Sequence, residues 1–203
     1  SHDHLAARLA ALGLDLEVDA EVDPGGPLAA PLGVAGREAA NRLCVLPMEG
    51  WDGEADGRPS DLVRRRWRRF GAGGAGIVWA EATAVRPDGR ANARQLVIGE
   101  GTVDELAALR RDLVAAHADA GGARHGPVVG LQLTHSGRWS RPDGSPRPRI
   151  AYRHPLLDER VGAGDADVMT DGDLDALVAD YVRAAVLAQR AGFDFVDVKH
   201  CHG

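Results

Sequence analysis

Residues 128–138 read VVGLQLTHSGR, and no other stretch limits the fold so strongly. Apolar and small residues from Val128 to Leu131 lead into Gln132, and Thr134, His135 and Arg138 follow closely. A continuous apolar run of this length suits a strand buried on both faces, as in a parallel sheet wrapped by helices. Its polar cluster then lies at the strand's C-terminal end, where α/β barrels and open α/β sheets bind ligands. A glutamine buried there needs partners for its amide, either neighbouring backbone or a ligand's amide-like edge.

The flanking sequence repeats the strand signal at intervals suited to βαβ units. The stretch 41–48, NRLCVLPM, predicts a first strand ended by Pro47, which cannot donate to a ladder. Ser60 predicts the cap of a helix to Phe70 with Val63, Trp67 and Phe70 on its apolar face. A turn over 71–76 leads to a second strand over 77–80, ending at Glu81, Ala82 and Thr83. Thr102 and Glu105 predict a capping box, Leu106, Leu109, Leu113 and Val114 a buried face, and Gly121 and Gly122 the stop. After Arg138 a proline-rich loop is expected to run to about Met169. Thr170 then caps a helix with Leu174, Leu177, Val178, Tyr181, Val182 and Ala185 as its apolar positions. FDFVDVKHCHG follows as a fourth strand with Lys199, His200 and His202 at its end. Residues 1–40 predict a short helix and a small hairpin acting as a cap, and 41–203 the βα-alternating domain.

Charge bounds the partners. Twenty-four Lys and Arg against 30 Asp and Glu give a net charge of -6, so nucleic acid is not the expected partner. The arginines between residues 64 and 69 fall mainly opposite Val63, Trp67 and Phe70, which reads as a solvated helix face rather than a binding patch. Two cysteines, far apart, argue against a disulfide framework. No run approaches the ~18 apolar residues of a membrane span, and the first residues lack a signal-peptide layout. A soluble, cytoplasmic protein acting on a small molecule is expected.

In a parallel sheet the four strand ends meet on one rim: Pro47-Met48-Glu49, Glu81-Ala82-Thr83, the residues from Gln132 to Arg138, and those from Lys199 to His202. Lys199, His200 or His202 can polarise a carbonyl or phenolate oxygen there. Cys201 between two histidines raises zinc, but neighbours on a strand point to opposite faces, so no metal is expected. The glycines at 71–76 precede a strand instead of opening a helix, which disfavours a Rossmann site. A Schiff-base aldolase using Lys199 is a more distant alternative.

These residues resemble the Old Yellow Enzyme family of FMN-dependent oxidoreductases, its NADH:flavin oxidoreductase branch in particular. The resemblance runs from about residue 31 to the end. It is carried by PLGVAGREAANRLCVLPM, by DGRPSDLVRRRWRRFGAGGAGIVWAEATAVRPDGRANARQL, by QLTHSGR and by AGFDFVDVKHCHG. It implies an eight-stranded (β/α) TIM barrel, of which this chain holds roughly the first four β/α units, with FMN on the C-terminal rim. By similarity Pro47, Met48 and Glu49 lie along the flavin ring, Ala82 packs near its pyrimidine side, and Gln132 hydrogen-bonds that edge. Lys199 and His202 take the positions of the pair that binds the acceptor's oxygen. The implied reaction carries hydride from NADH or NADPH through FMN to an activated alkene.

Three departures stand out. Lys199 replaces the usual first histidine, and Glu49 stands where one branch has a cysteine, which points toward a cationic or amine-like substrate. The sequence also stops before the family's tyrosine proton donor and phosphate contacts. An amine dehydrogenase, a dienoyl-CoA reductase-like enzyme and a non-catalytic half-barrel module are the alternatives. Four strands leave an open edge, so the chain is expected to be a fragment, or a half that needs a complementing half or a second copy.

Overall fold

A computed structural model describes residues 1–19, 21–34 and 36–202. Ala35 in the hairpin segment and Gly203 at the end of the last motif lie outside the described residues. Helix α1 (His2–Ala11) precedes an antiparallel hairpin of β1 (Leu32–Val34) and β2 (Arg37–Ala39). Four parallel strands follow: β3 (Cys44–Val45), β4 (Ile77–Ala84), β5 (Val128–Thr134) and β6 (Phe195–Lys199). They lie side by side in sequence order, joined by α2 (Asp61–Ala72), α3 (Val103–Asp119) and α5 (Asp171–Arg190). This is the first half of a (β/α) barrel.

The helices cover one face of the sheet. Val78, Ala80, Val129, Leu131 and Leu133 pack there against Val63 and Trp67 of α2, Leu106, Leu109 and Leu113 of α3, and Ala184, Leu187 and Ala188 of α5. Each leucine so buried contributes roughly 1.5–3 kcal/mol relative to exposure. Helices α2 and α3 touch closely at Gly71, where a Cβ would lie 2.1 Å from the Leu113 carbonyl oxygen. Ser60 caps α2 by accepting from the Val63 amide, and Thr170 caps α5 in a capping box with Asp173.

Two side chains fix the sheet's lower edge. Asn41 accepts from the Gly76 amide at 2.8 Å and donates to the Gly74 carbonyl, holding β3 against the start of β4. Asp194 accepts from the Val129 amide and from Arg37 of the hairpin, tying β2 to the β5–β6 edge.

The structure corrects several expectations. β3 pairs only through Cys44 and Val45, since the chain leaves the sheet before Pro47. β4 runs to Ala84, taking Glu81, Ala82 and Thr83 into the strand, and α2 takes in Gly71 and Ala72. Thr102 makes no side-chain cap: its hydroxyl donates to the Val97 carbonyl, while Glu105 pairs with Arg64. The long loop contains the short helix α4 (Pro155–Val161), with proline at its first turn. On α5 the apolar positions split: Leu177 and Tyr181 pack against the core, whereas Val178 and Val182 are exposed.

Candidate functional site

Parallel pairing puts every C-terminal strand end on one side. A bulge in β4 then sets the pattern, since Ala80 pairs with Leu131 and Thr83 with Leu133, leaving Glu81 and Ala82 opposite the single Gln132. Residues in register share a face, so the face away from the helices is built in layers. Trp79, Gly130 and Phe195 form the lowest, with the two rings edge to face at 5.8 Å. Gly130 makes room for that contact: a Cβ there would lie 2.1 Å from the Phe195 ring. Above them stand Gln132 and Asp197, and above those Thr134 and Lys199.

Glu81 is a structural anchor of this rim. It is buried and accepts from Arg66 Nη2 at 2.6 Å, Trp67 Nε1 at 2.8 Å and the Gly50 amide at 3.3 Å. Arg66 also binds Asp52, so one α2 side chain ties the loop after β3 to Glu81 of β4. Ala82 is fully buried, and its carbonyl accepts from Gln95.

Gln132 Nε2 donates to Asp197 Oδ2 at 2.6 Å, which fixes the amide's orientation on the inner face. Lys199 Nζ lies 3.4 Å from Glu49 Oε1, and Glu49 Oε2 accepts from Trp51 Nε1 at 2.6 Å. The carboxylate expected to meet a cationic substrate is thus already paired with a cation of the chain itself. Trp51 has a φ of 51°, a left-handed conformation that costs a bulky residue energy. Pro47 is half-buried and Met48 is exposed beside this pair.

β6 ends at Lys199, and Cys201 and His202 lie in a turn, so strand alternation does not extend to them. His202 is half-buried and tied by its carbonyl to the Arg138 amide. Burial, then the nearby Lys199 cation, hold its imidazole pKa below the ordinary value. His200 is exposed. His135 is buried against Gly89, and burial depresses its pKa, with Arg86 and Arg149 acting the same way and Asp88 opposing. Below the loop, buried Arg138 donates to Asp158 at 2.9 Å and to the Tyr152 carbonyl, with its guanidinium over the Tyr152 ring.

Among the described residues, buried oxygen or nitrogen atoms near the rim without a partner include Thr134 Oγ1, Ser136 Oγ and His202 Nδ1. Buried polar atoms are normally satisfied, and the half-buried His202 is the one of these at the end of β6, beside Lys199. With the Gln132 amide and the apolar Pro47 and Met48, the donor set suits a flat ring with an amide-like edge. Among the described residues no group of three or more His, Cys, Asp or Glu side chains is placed to hold a metal.

Sequence reasoning passed over Asp197, Trp51 and Tyr181. Asp197 stands two residues before Lys199 on a strand of period two, a signal that placed it on the same face. Tyr181, read as an apolar helix position, donates from its hydroxyl to the Lys199 carbonyl at 3.0 Å. Trp51 carried no local signal.

A model of the NADH:flavin oxidoreductase / NADH oxidase family matches residues 27–203. The chain is similar to an NADPH dehydrogenase of Listeria monocytogenes, with 32% identity over 165 residues, covering 80% of this chain and 45% of that protein. It is similar to the NADPH dehydrogenase of Halalkalibacterium halodurans, with 29% identity over 84% of this chain and 46% of that protein. Among solved structures, an Old Yellow Enzyme from Pichia sp. superposes with a TM-score of 0.64 at 22% identity, covering 85% of this chain and 45% of that one. Morphinone reductase in complex with tetrahydroNAD gives a TM-score of 0.60 at 26% identity, over 85% of this chain and 49% of that one. The chain spans about half the length of the curated relatives it matches.

Proposed function

The chain belongs to the NADH:flavin oxidoreductase / NADH oxidase family, and on that basis we propose that it forms the flavin-ring and acceptor side of an FMN-dependent NAD(P)H oxidoreductase. Bound FMN would supply the hydride chemistry between NADH or NADPH and an activated alkene or related acceptor. Pro47 and Met48 give apolar surface beside the ring, and Ala82 leaves its pyrimidine side uncrowded. Gln132, oriented by Asp197, meets the amide-like edge. Lys199 and His202 face the acceptor's oxygen, with Glu49 beside them and His200 outside the rim. His202, kept neutral by burial and by Lys199, can donate one hydrogen bond without adding charge.

The observation that supports this most is the unpartnered His202 Nδ1, buried on the same rim as the oriented Gln132 amide. No cradle for a phosphate is evident among the described residues, so the fit is to the ring. The test is a visible absorption spectrum of the purified chain with added FMN. Flavin bands that shift and travel with the protein through gel filtration are expected. Free FMN left unperturbed, with Gln132→Leu behaving identically, overturns the ring site in this chain.

A further inference from the structure

Resting on the reading of this rim as an acceptor site, we propose that Glu49 is a built-in counter-ion that a substrate's own oxyanion displaces. The Lys199 end of the rim then selects acceptors that carry a carboxylate. Lys199 touches Glu49 through one oxygen at 3.4 Å, long for a charge-assisted hydrogen bond, and makes no other ion pair among the described residues. Glu49 keeps a shorter bond of 2.6 Å to the indole of Trp51, a residue with a left-handed backbone. When the ion pair opens, the carboxylate therefore stays parked on Trp51.

A neighbour of Lys199 wants an acceptor. His202 senses the Lys199 charge and has a buried Nδ1 without a partner, which donates in one neutral tautomer. A carboxylate offers enough lone pairs to serve the ammonium and the imidazole together, and exchanging one anion for another keeps the charge balanced. A neutral carbonyl would have to compete with the full charge of Glu49 for Lys199, and a cation would face Lys199 itself.

The test needs no flavin, so its failure is separate from failure of the FMN titration. The chain has four tryptophans, and the Trp51 indole N–H signal in a nitrogen-15 NMR spectrum is assigned with Trp51→Phe. Crotonate, crotonamide and butylamine are titrated in turn against the full chain. Crotonate is expected to shift the Trp51 signal saturably, with the other two binding at least about tenfold more weakly. Lys199→Met should abolish the crotonate shift. Glu49→Gln, whose side chain no longer competes for Lys199, should bind crotonate about tenfold more tightly, read from the Lys199 or His202 signals. Equal binding of crotonamide or butylamine by the unmodified chain overturns the proposal, as does weaker crotonate binding by Glu49→Gln.

Discussion

Lys199 and Glu49 lie 150 residues apart in the chain and meet at 3.4 Å across the ends of four strands. The contact joins the two outermost strands of the sheet, so it reports directly on the curvature that brings them together. Both side chains are mostly buried, at 19% and 12% exposure, but the geometry is long and single-pronged. A double-mutant cycle with Glu49→Ala and Lys199→Ala is therefore expected to give a coupling of about 1 kcal/mol at low salt. Urea unfolding of the four proteins measures it. A coupling that grows when salt is added would contradict an ion pair.

Glu81 accepts from Arg66 and the Trp67 indole of α2 and from the Gly50 amide in the loop after β3. Removing one partner of a buried charged network strands the others, and costs more than the network itself contributes. Glu81→Ala should destabilise the chain by about 3 kcal/mol, and Glu81→Gln, which still accepts from Trp67, by less. Chemical denaturation ranks the two variants.

The sheet was legible because β5 opens on an unbroken run of apolar and small residues, Val128 to Leu131, and β4 and β6 bring further apolar residues after amphipathic helices. The parallel order followed from crossover length alone. α5 was harder, since Val178, Val182 and Val186 form a second apolar stripe that the sequence cannot distinguish from the buried one. Ala184 and Ala188 decide the matter, because small side chains let the helix approach the sheet closely. Glu105 matched a capping box, yet Arg64 on another helix draws it away. For the candidate site, Gln132 and Lys199 were visible as polar residues ending apolar runs. The Gln132–Asp197 and Lys199–Glu49 pairings were not, because each depends on strand register and curvature, which no local pattern encodes.

Gly130 and Phe195 form a second testable fit. A Cβ at 130 would lie 2.1 Å from the Phe195 ring, which is itself stacked edge to face with Trp79. Gly130→Ala should cost about 1–3 kcal/mol through overpacking. Adding Phe195→Leu, which clears that space, should restore part of the loss. If the double variant is as unstable as the sum of the two single ones, the fit is not between these residues.

Asp158 accepts from Arg153, Arg138 and the His154 amide. The Arg153 guanidinium, followed by Arg138, holds its carboxyl down at about 2, against about 3.9 for a free aspartate. A depressed acid stabilises the fold above its unfolded pKa and loses that contribution as pH falls through the folded one. The denaturation midpoint should therefore drop between about pH 4 and about pH 2, and Asp158→Asn should flatten that segment of the profile. An unchanged profile in the variant would assign the acid loss to other carboxylates.

Tyr181 makes the opposite case. Its hydroxyl donates to the Lys199 carbonyl at 3.0 Å, clamping α5 to the end of β6, next to the rim. Burial pushes the phenol up to about 12, although a backbone hydrogen bond with His135 pulls it partly back. The neutral phenol is the form the fold binds, so its contribution is complete below an unfolded pKa of about 10 and is lost as pH rises through about 12. The difference in phenolate absorbance between the native chain and Tyr181→Phe should rise only near pH 12. The same variant leaves the Lys199 carbonyl without that donor and should lower stability by about 1 kcal/mol at neutral pH. Since Lys199 is placed by the strand end that Tyr181 holds, crotonate should also bind Tyr181→Phe more weakly, with its preference over crotonamide retained. Loss of that preference would mean that Tyr181 contributes to selection itself and not only to the position of Lys199.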